Sequence, residues 1–372
     1  MPEPGASRVR LARLAVGLSQ GQLARAAGVS RQAIAGLEAG RWDPSLRVAV
    51  ALSRALGRPV EELFGPDPAP APLTAELAEG SPLAPARVGL SQVTGRAVAF
   101  PLVGDAAMAC GFVPASATVA GRPRRRRGAR LAVAPLAPAG PSLAVAGCDP
   151  ALPLLQGPLA RLDPPVSLTW WPCSSARALE LLRRGAVHAA GVHVLDAASG
   201  TYNRRAAERA LGRLGAEVVG FASWRQGLVL ARGLGAPGGL ADALERGWRL
   251  ANREPGAEAR SVLDAELARL GARGEDVPGY RSRLGGHLLV ASAVASGLAD
   301  FGVACEPAAA AYGLGFRPLR AERYDLVVAR PSLGLPEVRA LLAVLAGPAF
   351  RAQLAAIPGY DASVCGTVGG LA

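Results

Sequence analysis

Two helix-sized segments separated by a three-residue turn constrain this chain more than any other feature. The first, SQGQLARAAG, opens on Ser19 with Gln22 three residues on, the spacing of a capping box, and closes on Gly28, suited to the turn after a helix. The second, SRQAIAGLEAG, repeats the device: Ser30 is the N-cap, Ile34 and Leu37 share a face, and Gly40 ends it. Only GVS lies between them, which is the helix-turn-helix arrangement, whose second helix sits in the DNA major groove. PSLRVAVALSRALG and PVEELF predict a fourth helix and a short fifth, with Leu46, Val50, Leu52 and Leu56 available to the core.

Across nearly all of 8–64 the chain resembles the lambda-repressor-like, or XRE, helix-turn-helix family. Ser19, Gln20, Leu23, Ala24, Gly28, Val29, Ser30, Ile34, Leu37, Glu38, Gly40, Pro44, Leu46 and the string ALSRALG carry the resemblance. It implies a double-stranded DNA operator as partner. A homodimer is expected with it, because such units read half-sites about one helical turn apart. Base reading falls to the first residues of the recognition helix, Arg31 and Gln32, next to Ser30. Arginine can bond guanine O6 and N7 bidentately, and glutamine adenine N6 and N7. Gln20 and Arg41 would contact phosphate and set the docking register. Gly36 departs from the pattern, since relatives often carry a polar reader there. The alternative is a protein-interaction bundle with Arg31 and Gln32 merely solvated.

At 372 residues the chain has room for two or three modules. The net charge of +12 invites a nucleic-acid reading, but all 41 basic residues are arginine, a bias of composition that weakens the inference. Positive charge is densest at the front, with nine arginines against five acids in 1–65, so a polyanion contact belongs there. The five cysteines, at 110, 148, 173, 305 and 365, include no CxxC pair and no ligand-spaced histidine, so neither zinc nor disulfides are indicated. The apolar stretches are broken well before the roughly 20 residues of a membrane span. MPEPGASRVR has no apolar signal core. These features predict a cytoplasmic protein with no membrane contact and no cofactor.

The expected organisation is multi-domain: an all-α helix-turn-helix domain at 1–65, a Pro/Ala-rich linker at 66–83, a small β-rich connecting segment at 84–141, and an α/β two-lobed ligand domain at 142–372. Within the third part, the run Arg122–Arg130 reads as a solvated loop or as non-specific help to DNA binding. In the fourth, strand and helix signals alternate. PSLAVAGCDPALPLLQGPLARL, VSLTWWPCSSARALELLRRG and AVHAAGVHVLD form one set, and a second begins at EVVGFASWRQGLVLARG. Serial strand-turn-helix units predict a parallel sheet with ligands at the carboxyl ends of the strands, and two sets predict two lobes and a cleft.

This part resembles the periplasmic-binding-protein-like fold, in the variety fused to helix-turn-helix domains and akin to molybdate-binding proteins. The matching strings are AGCDPAL at 146–152, AGVHVLD at 190–196, YN at 202–203, ANREPGAEAR at 251–260, VASAVASGLADFGVA at 290–304, ERYDLVV at 322–328 and FRAQLAAIPGYD at 350–361. The resemblance implies a small effector, an oxyanion such as molybdate or tungstate. It assigns ligand contacts to Cys148, Asp149, Ser174, Ser175, His193, Gly256 and Ala257, with Arg260 and Arg253 able to add charge. The family's glycine-serine-glycine-threonine string is replaced here by GAEA, Gly256 to Ala259. An organic metabolite as effector is the alternative, and Ser174 and Ser175 could be helix caps only. Helix N-termini offer free N–H groups and a positive dipole end to an anion.

A catalytic reading would use Cys173, just before a helix start, with a histidine base. His188 opens a strand whose far end carries His193, and their spacing sets them on opposite faces. Only His193 then faces the cleft, so no catalytic residue and no metal ligand is expected.

Overall fold

A computed structural model describes residues 8–65, 71–78, 86–103, 113–119, 130–234 and 238–369. Backbone contacts divide the chain into two compact units, Met1–Ala69 and Pro70–Ala372.

The first unit is helical: α1 (Arg8–Ala15), α2 (Gln20–Ala27), α3 (Arg31–Glu38), α4 (Leu46–Leu56) and α5 (Val60–Phe64). The punctuation acts as read. Ser19 Oγ accepts from the Gln22 N–H (3.2 Å), and Gln22 Oε1 accepts from the Ser19 N–H (2.7 Å). Gly28 ends α2 in the left-handed region, and Ser30 Oγ caps α3 at the Ala33 N–H (3.0 Å). Leu23, Ile34 and Leu52 are wholly buried in the shared core. Leu46 is a correction: the buried face of α4 begins at Ala49 and runs through Leu52 and Leu56, leaving Leu46 in the first turn 78% exposed.

The second unit opens with a closed five-stranded barrel of β1 (Leu73–Leu77), β2 (Arg87–Val93), β3 (Arg96–Pro101), β4 (Ala117–Val119) and β5 (Arg130–Pro135), in the order β1-β3-β2-β4-β5. β1 falls inside 66–83, the stretch read as linker. Its ladder partners, around Val98 and Val133, lie far along the chain, so its Pro/Ala-rich surroundings hid it. The barrel is an extension of the ligand domain. Val93, Val98 and Phe100 share a core with Ala144, Trp171 and Leu182, and Arg96 Nη2 donates to the carbonyls of Arg184 (2.8 Å) and Gly185 (2.9 Å). Of the run Arg122–Arg130, all but Arg130 in β5 lies outside the described residues.

The remainder is built on one mixed sheet of eight strands. Lobe 1 contains β6 (Ser142–Ala146), α6 (Gln156–Ala160), β7 (Ser167–Trp171), α7 (Ser175–Arg183), β8 (Ala189–Val192), the hairpin β9 (Leu195–Asp196) and β10 (Thr201–Tyr202), and α8 (Arg204–Leu211). β11 (Ala216–Leu230) then runs out of lobe 1 into lobe 2. Lobe 2 contains α9 (Leu240–Glu245), β12 (Leu250–Ala251), α10 (Glu258–Arg269), α11 (His287–Ala295), β13 (Phe301–Cys305) and α12 (Glu306–Ala311). β14 (Gly315–Ala329) returns antiparallel to β11 along its length, pairing with β8 at the lobe 1 end, while β11 pairs with β13 at the lobe 2 end. α13 (Pro336–Ala346) and α14 (Pro348–Ala355) pack Leu341, Leu345, Phe350 and Leu354 into the core with Leu143 and Val145, and β15 (Tyr360–Asp361) pairs with the middle of β11.

The sheet is therefore parallel only within β7-β6-β8 and within β12-β13. EVVGFASWRQGLVL, read as the start of a second parallel set, is the crossing strand β11. Buried on both faces for most of its length, it carries the continuous apolar run that a parallel strand also shows. Register shifts between Gly220 and Ala222 and between Gln226 and Gly227 flank the segment around Trp224 that joins the lobes. Among the described residues no single helix is long and apolar enough to cross a membrane.

Candidate ligand site and nucleic-acid interface

The carboxyl ends of the parallel strands converge on the crossing pair. Cys148 and Asp149 follow β6, His193 follows β8, Arg253 follows β12, and His287 starts α11. β11 contributes Trp224 and Gln226, and β14 contributes Glu322, opposite Trp224 in the ladder, and Tyr324. Close approach sets the Tyr324 ring: a Cβ at Gly191 would stand 1.9 Å from its hydroxyl. All of these side chains are buried.

His193 is the hub. Its Nε2 lies 3.2 Å from Cys148 Sγ, its Nδ1 is bonded to Glu322 Oε2, and its backbone N–H donates to Ser175 Oγ (3.2 Å). Arg320 in turn holds Glu322 Oε1, with Nη2 at 2.6 Å. Burial disfavours charge on His193, but its electrostatic and hydrogen-bond interactions with Cys148 and Glu322 prevail and raise its pKa to about 10. Asp149 is occupied on both oxygens. Oδ1 accepts from the Ala151 N–H (2.8 Å) and the Tyr360 hydroxyl (2.6 Å), and Oδ2 accepts from Trp224 Nε1 (2.9 Å). Burial still pushes its carboxyl up.

Beside this connected set lie groups that are buried and unpaired. Arg253 spends Nε and Nη2 on Glu254 (2.8 and 3.0 Å) and Nε also on the Leu284 carbonyl (3.1 Å), yet Nη1 has no partner. Its charge acts on Cys305 and His287. His287 Nδ1 accepts from the Cys305 N–H (3.2 Å), so the neutral ring carries its proton on Nε2, and Nε2 has no partner either. Burial, then Arg253 and His193, hold His287 well below its ordinary pKa, which keeps it neutral. Both amide atoms of Gln226 are likewise unsatisfied.

Ligand atoms of Cys148, His193 and His287 lie within 4.8 Å of one another, close enough to surround one metal ion. The tautomer argues against that use. With Nδ1 accepting a backbone N–H, Nε2 of the neutral His287 ring is a donor with no lone pair to offer.

The residues expected at the ligand divide three ways. Cys148, Ser175 and His193 come together as described. Ser174 stands at the N-cap of α7, but its hydroxyl makes no cap bond. Gly256 and Ala257 lead into the start of α10, where burial raises the carboxyl of Glu258, which also feels His193, Glu322 and Arg320. This brings the head of the lobe 2 helix up to the lobe 1 cluster. Asp149 is spent internally. Arg260 is stacked on Tyr280 (4.1 Å) and donates to the Arg253 carbonyl (3.1 Å), so Arg253 is the buried cation of the site. His188 bonds the Ala144 N–H (2.9 Å) and faces Glu337 (3.2 Å), apart from the cluster. Cys173 is half-buried in the other lobe 1 core. Sequence reasoning passed over His287, Gln226, Trp224, Glu322 and Tyr324. Their one local signal was ERYDLVV, which matched the family string without a role for Glu322.

In the first unit Arg31, Gln32 and Arg41 are exposed, with Arg31 and Gln32 opening the recognition helix. The Ser30 hydroxyl is occupied as the cap. Gln20 is turned inward: its amide donates to Glu38 (2.9 Å), which also holds Arg13 (2.7 Å). Gly36 has a structural cause, because a Cβ there would stand 3.1 Å from the Trp42 ring, whose Nε1 donates to the Ala33 carbonyl (3.0 Å).

Residues 156–346, just over half of the chain, match the family model described as the PBP superfamily domain, and residues 9–63 match the model described as helix-turn-helix. The chain belongs to the PBP superfamily, with an XRE-type helix-turn-helix domain fused ahead of the PBP-like ligand-binding domain. Bacillus subtilis YvgK, itself uncharacterized, is 29% identical over 229 residues, covering 61% of this chain and 73% of YvgK. An uncharacterized HTH-type transcriptional regulator of Methanothermobacter thermautotrophicus is 47% identical over 57 residues, 15% of this chain and 83% of that protein. Among solved structures, the tungstate binding protein TupA from Desulfovibrio alaskensis G20 aligns with 58% of this chain and 94% of its own, at 13% identity and a TM-score of 0.40.

Proposed function

We propose that the chain is a cytoplasmic one-component transcription regulator in which a small oxyanion, of the molybdate or tungstate type, binds between the lobes and changes operator affinity. One observation carries this reading: Arg253 Nη1 and His287 Nε2–H are buried donors with no partner, at the carboxyl ends of the strands. Buried polar groups are nearly always paired, and each orphan costs about 1–3 kcal/mol, so such a pair is sustained by something that binds there. An anion accepting from both, and from the Gln226 amide, supplies the missing partners. The N-termini of α7 and α10 add oriented backbone dipoles. The raised pKa of Glu258 lessens its opposition to an anion.

Arg31 and Gln32 read bases in the major groove, Arg41 contacts phosphate, and a homodimer places two such heads on paired half-sites. The ligand acts on DNA binding only as far as it prefers one lobe arrangement over the other.

The test is a thermal-shift screen of the full chain with millimolar molybdate, tungstate, sulfate and a panel of organic acids, followed by operator footprinting with the hit. Ligand at a hundred times its Kd stabilises by about 2.7 kcal/mol, a readily measured shift. The reading predicts a shift with a tetrahedral oxyanion and a changed footprint. A shift with organic acids alone assigns the effector to an organic metabolite, and no oxyanion shift overturns the proposal.

A further inference from the structure

Cys148, His193 and Glu322 form a chain of three: Sγ and Nε2 are 3.2 Å apart, Nδ1 is bonded to Glu322, and Arg320 fixes the far oxygen of Glu322 at 2.6 Å. A nucleophile, an imidazole and a carboxylate that orients it is the arrangement that activates a thiol, because the thiolate is the reactive form. A second, independent observation lies beside it. A ring nitrogen of His287 is within 4.8 Å of both Cys148 Sγ and His193, and the buried Nε2 of that ring is an unpartnered donor. The space limits the substrate. Cys148 is 5% exposed, and the rings of Trp224, Tyr324 and His287 pack around His193 with centroids at 5.1, 5.8 and 5.9 Å. So buried a sulfur is closed to a protein partner, which leaves a small oxidant.

We propose that Cys148, hydrogen-bonded to His193, is an oxidisable sulfur and a second input to the same cleft, which hydrogen peroxide converts to a sulfenic acid. The sulfur lone pair attacks one peroxide oxygen, the S–O bond forms and the O–O bond breaks. The leaving hydroxide takes the proton from His193 Nε2 and departs as water. Cys148 is oxidised by two electrons and the peroxide is reduced by two. The new sulfenic acid oxygen then accepts from His287 Nε2–H and Arg253 Nη1, the position that the proposed function gives to the oxyanion ligand. Only this last step rests on that reading, and it makes oxidation and oxyanion binding mutually exclusive.

The experiment pulses the full chain with equimolar hydrogen peroxide, traps sulfenic acid with dimedone and maps the label by mass spectrometry, with and without saturating molybdate. The expected result is labelling at Cys148 at least tenfold faster than at Cys173, which is more exposed, and slowed by molybdate. Labelling of Cys148 no faster than Cys173 overturns the proposal. These readouts need only the unaltered protein; a Glu322→Gln variant whose fold is checked by circular dichroism should lose the tenfold preference, and keeping it counts against the proposal. If Cys148 is preferred while no oxyanion binds, the proposed function fails and the oxidation stands. If molybdate binds and Cys148 is not preferred, the oxidation alone fails. Oxidation of Cys148 that leaves molybdate binding intact refutes the shared position.

Discussion

Two buried charged networks, one in each unit, are built from similar parts and left in different states. In the helix-turn-helix unit Glu38 accepts from Arg13 Nε (2.7 Å), Arg13 Nη2 (3.1 Å) and Gln20 (2.9 Å), and Arg13 gives Nη1 to the Leu18 carbonyl (2.8 Å). In the cleft, His193 is held by Cys148 and Glu322, while Arg253, His287 and Gln226 each keep buried atoms unpaired. A satisfied network fixes one packed arrangement. An unsatisfied one is costly unless something completes it. The first braces the recognition helix, and the second is the proposed place for a ligand.

Breaking each network should give opposite results in the ligand-free protein. Glu38→Ala strands the buried Arg13 guanidinium and should cost the first unit about 3–5 kcal/mol, read from urea unfolding. Gln226→Leu removes a group that has no partner to lose, so the second unit should hold its stability or gain about 1 kcal/mol. Comparable losses in the two variants would mean that the cleft is as fully paired as the scaffold.

A smaller and more gradual contrast comes with pH. Burial works to raise the Glu38 carboxyl, but the hydrogen bonds from Arg13 and Gln20 win and hold it below its ordinary value. Its contribution is complete above the unfolded value, about 4.3, and is lost as pH falls through the lowered folded value. His193 runs the other way. Raised from 6.5 to about 10, it stabilises fully below pH 6.5 and loses that contribution as pH rises toward 10. Denaturation across pH 3 to 10 should therefore weaken the first unit at the acid end and the second at the alkaline end. Two units that weaken together at one end would contradict the assignment of charges.

The same contrast explains what the sequence disclosed. Ser19 with Gln22, Gly28 and Ser30 act on atoms within a few residues of themselves, so the helix-turn-helix unit was legible down to its caps. The cleft is assembled from positions 148, 193, 253, 287 and 322, which no local pattern connects. Resemblance supplied Cys148 and His193. Choosing Arg253 over Arg260 required knowing that Tyr280 stacks on Arg260, and no spacing within ANREPGAEAR says so. Glu322 lay inside a recognised string, and His287 was a lone histidine whose partner, the Cys305 N–H, is supplied by a neighbouring strand. β1 was lost to the linker for the same reason, since its partners are remote.

The central claim is that the unpaired donors of the cleft hold an oxyanion, and calorimetric titration of the full chain with tungstate tests it most directly, using the unaltered protein and an Arg253→Gln variant whose fold is checked by circular dichroism. The account predicts saturable binding to the unaltered chain, weakened about tenfold to a hundredfold in the variant, the loss of one charge-assisted hydrogen bond. Binding of equal strength in both, or no binding to the unaltered chain, would contradict it.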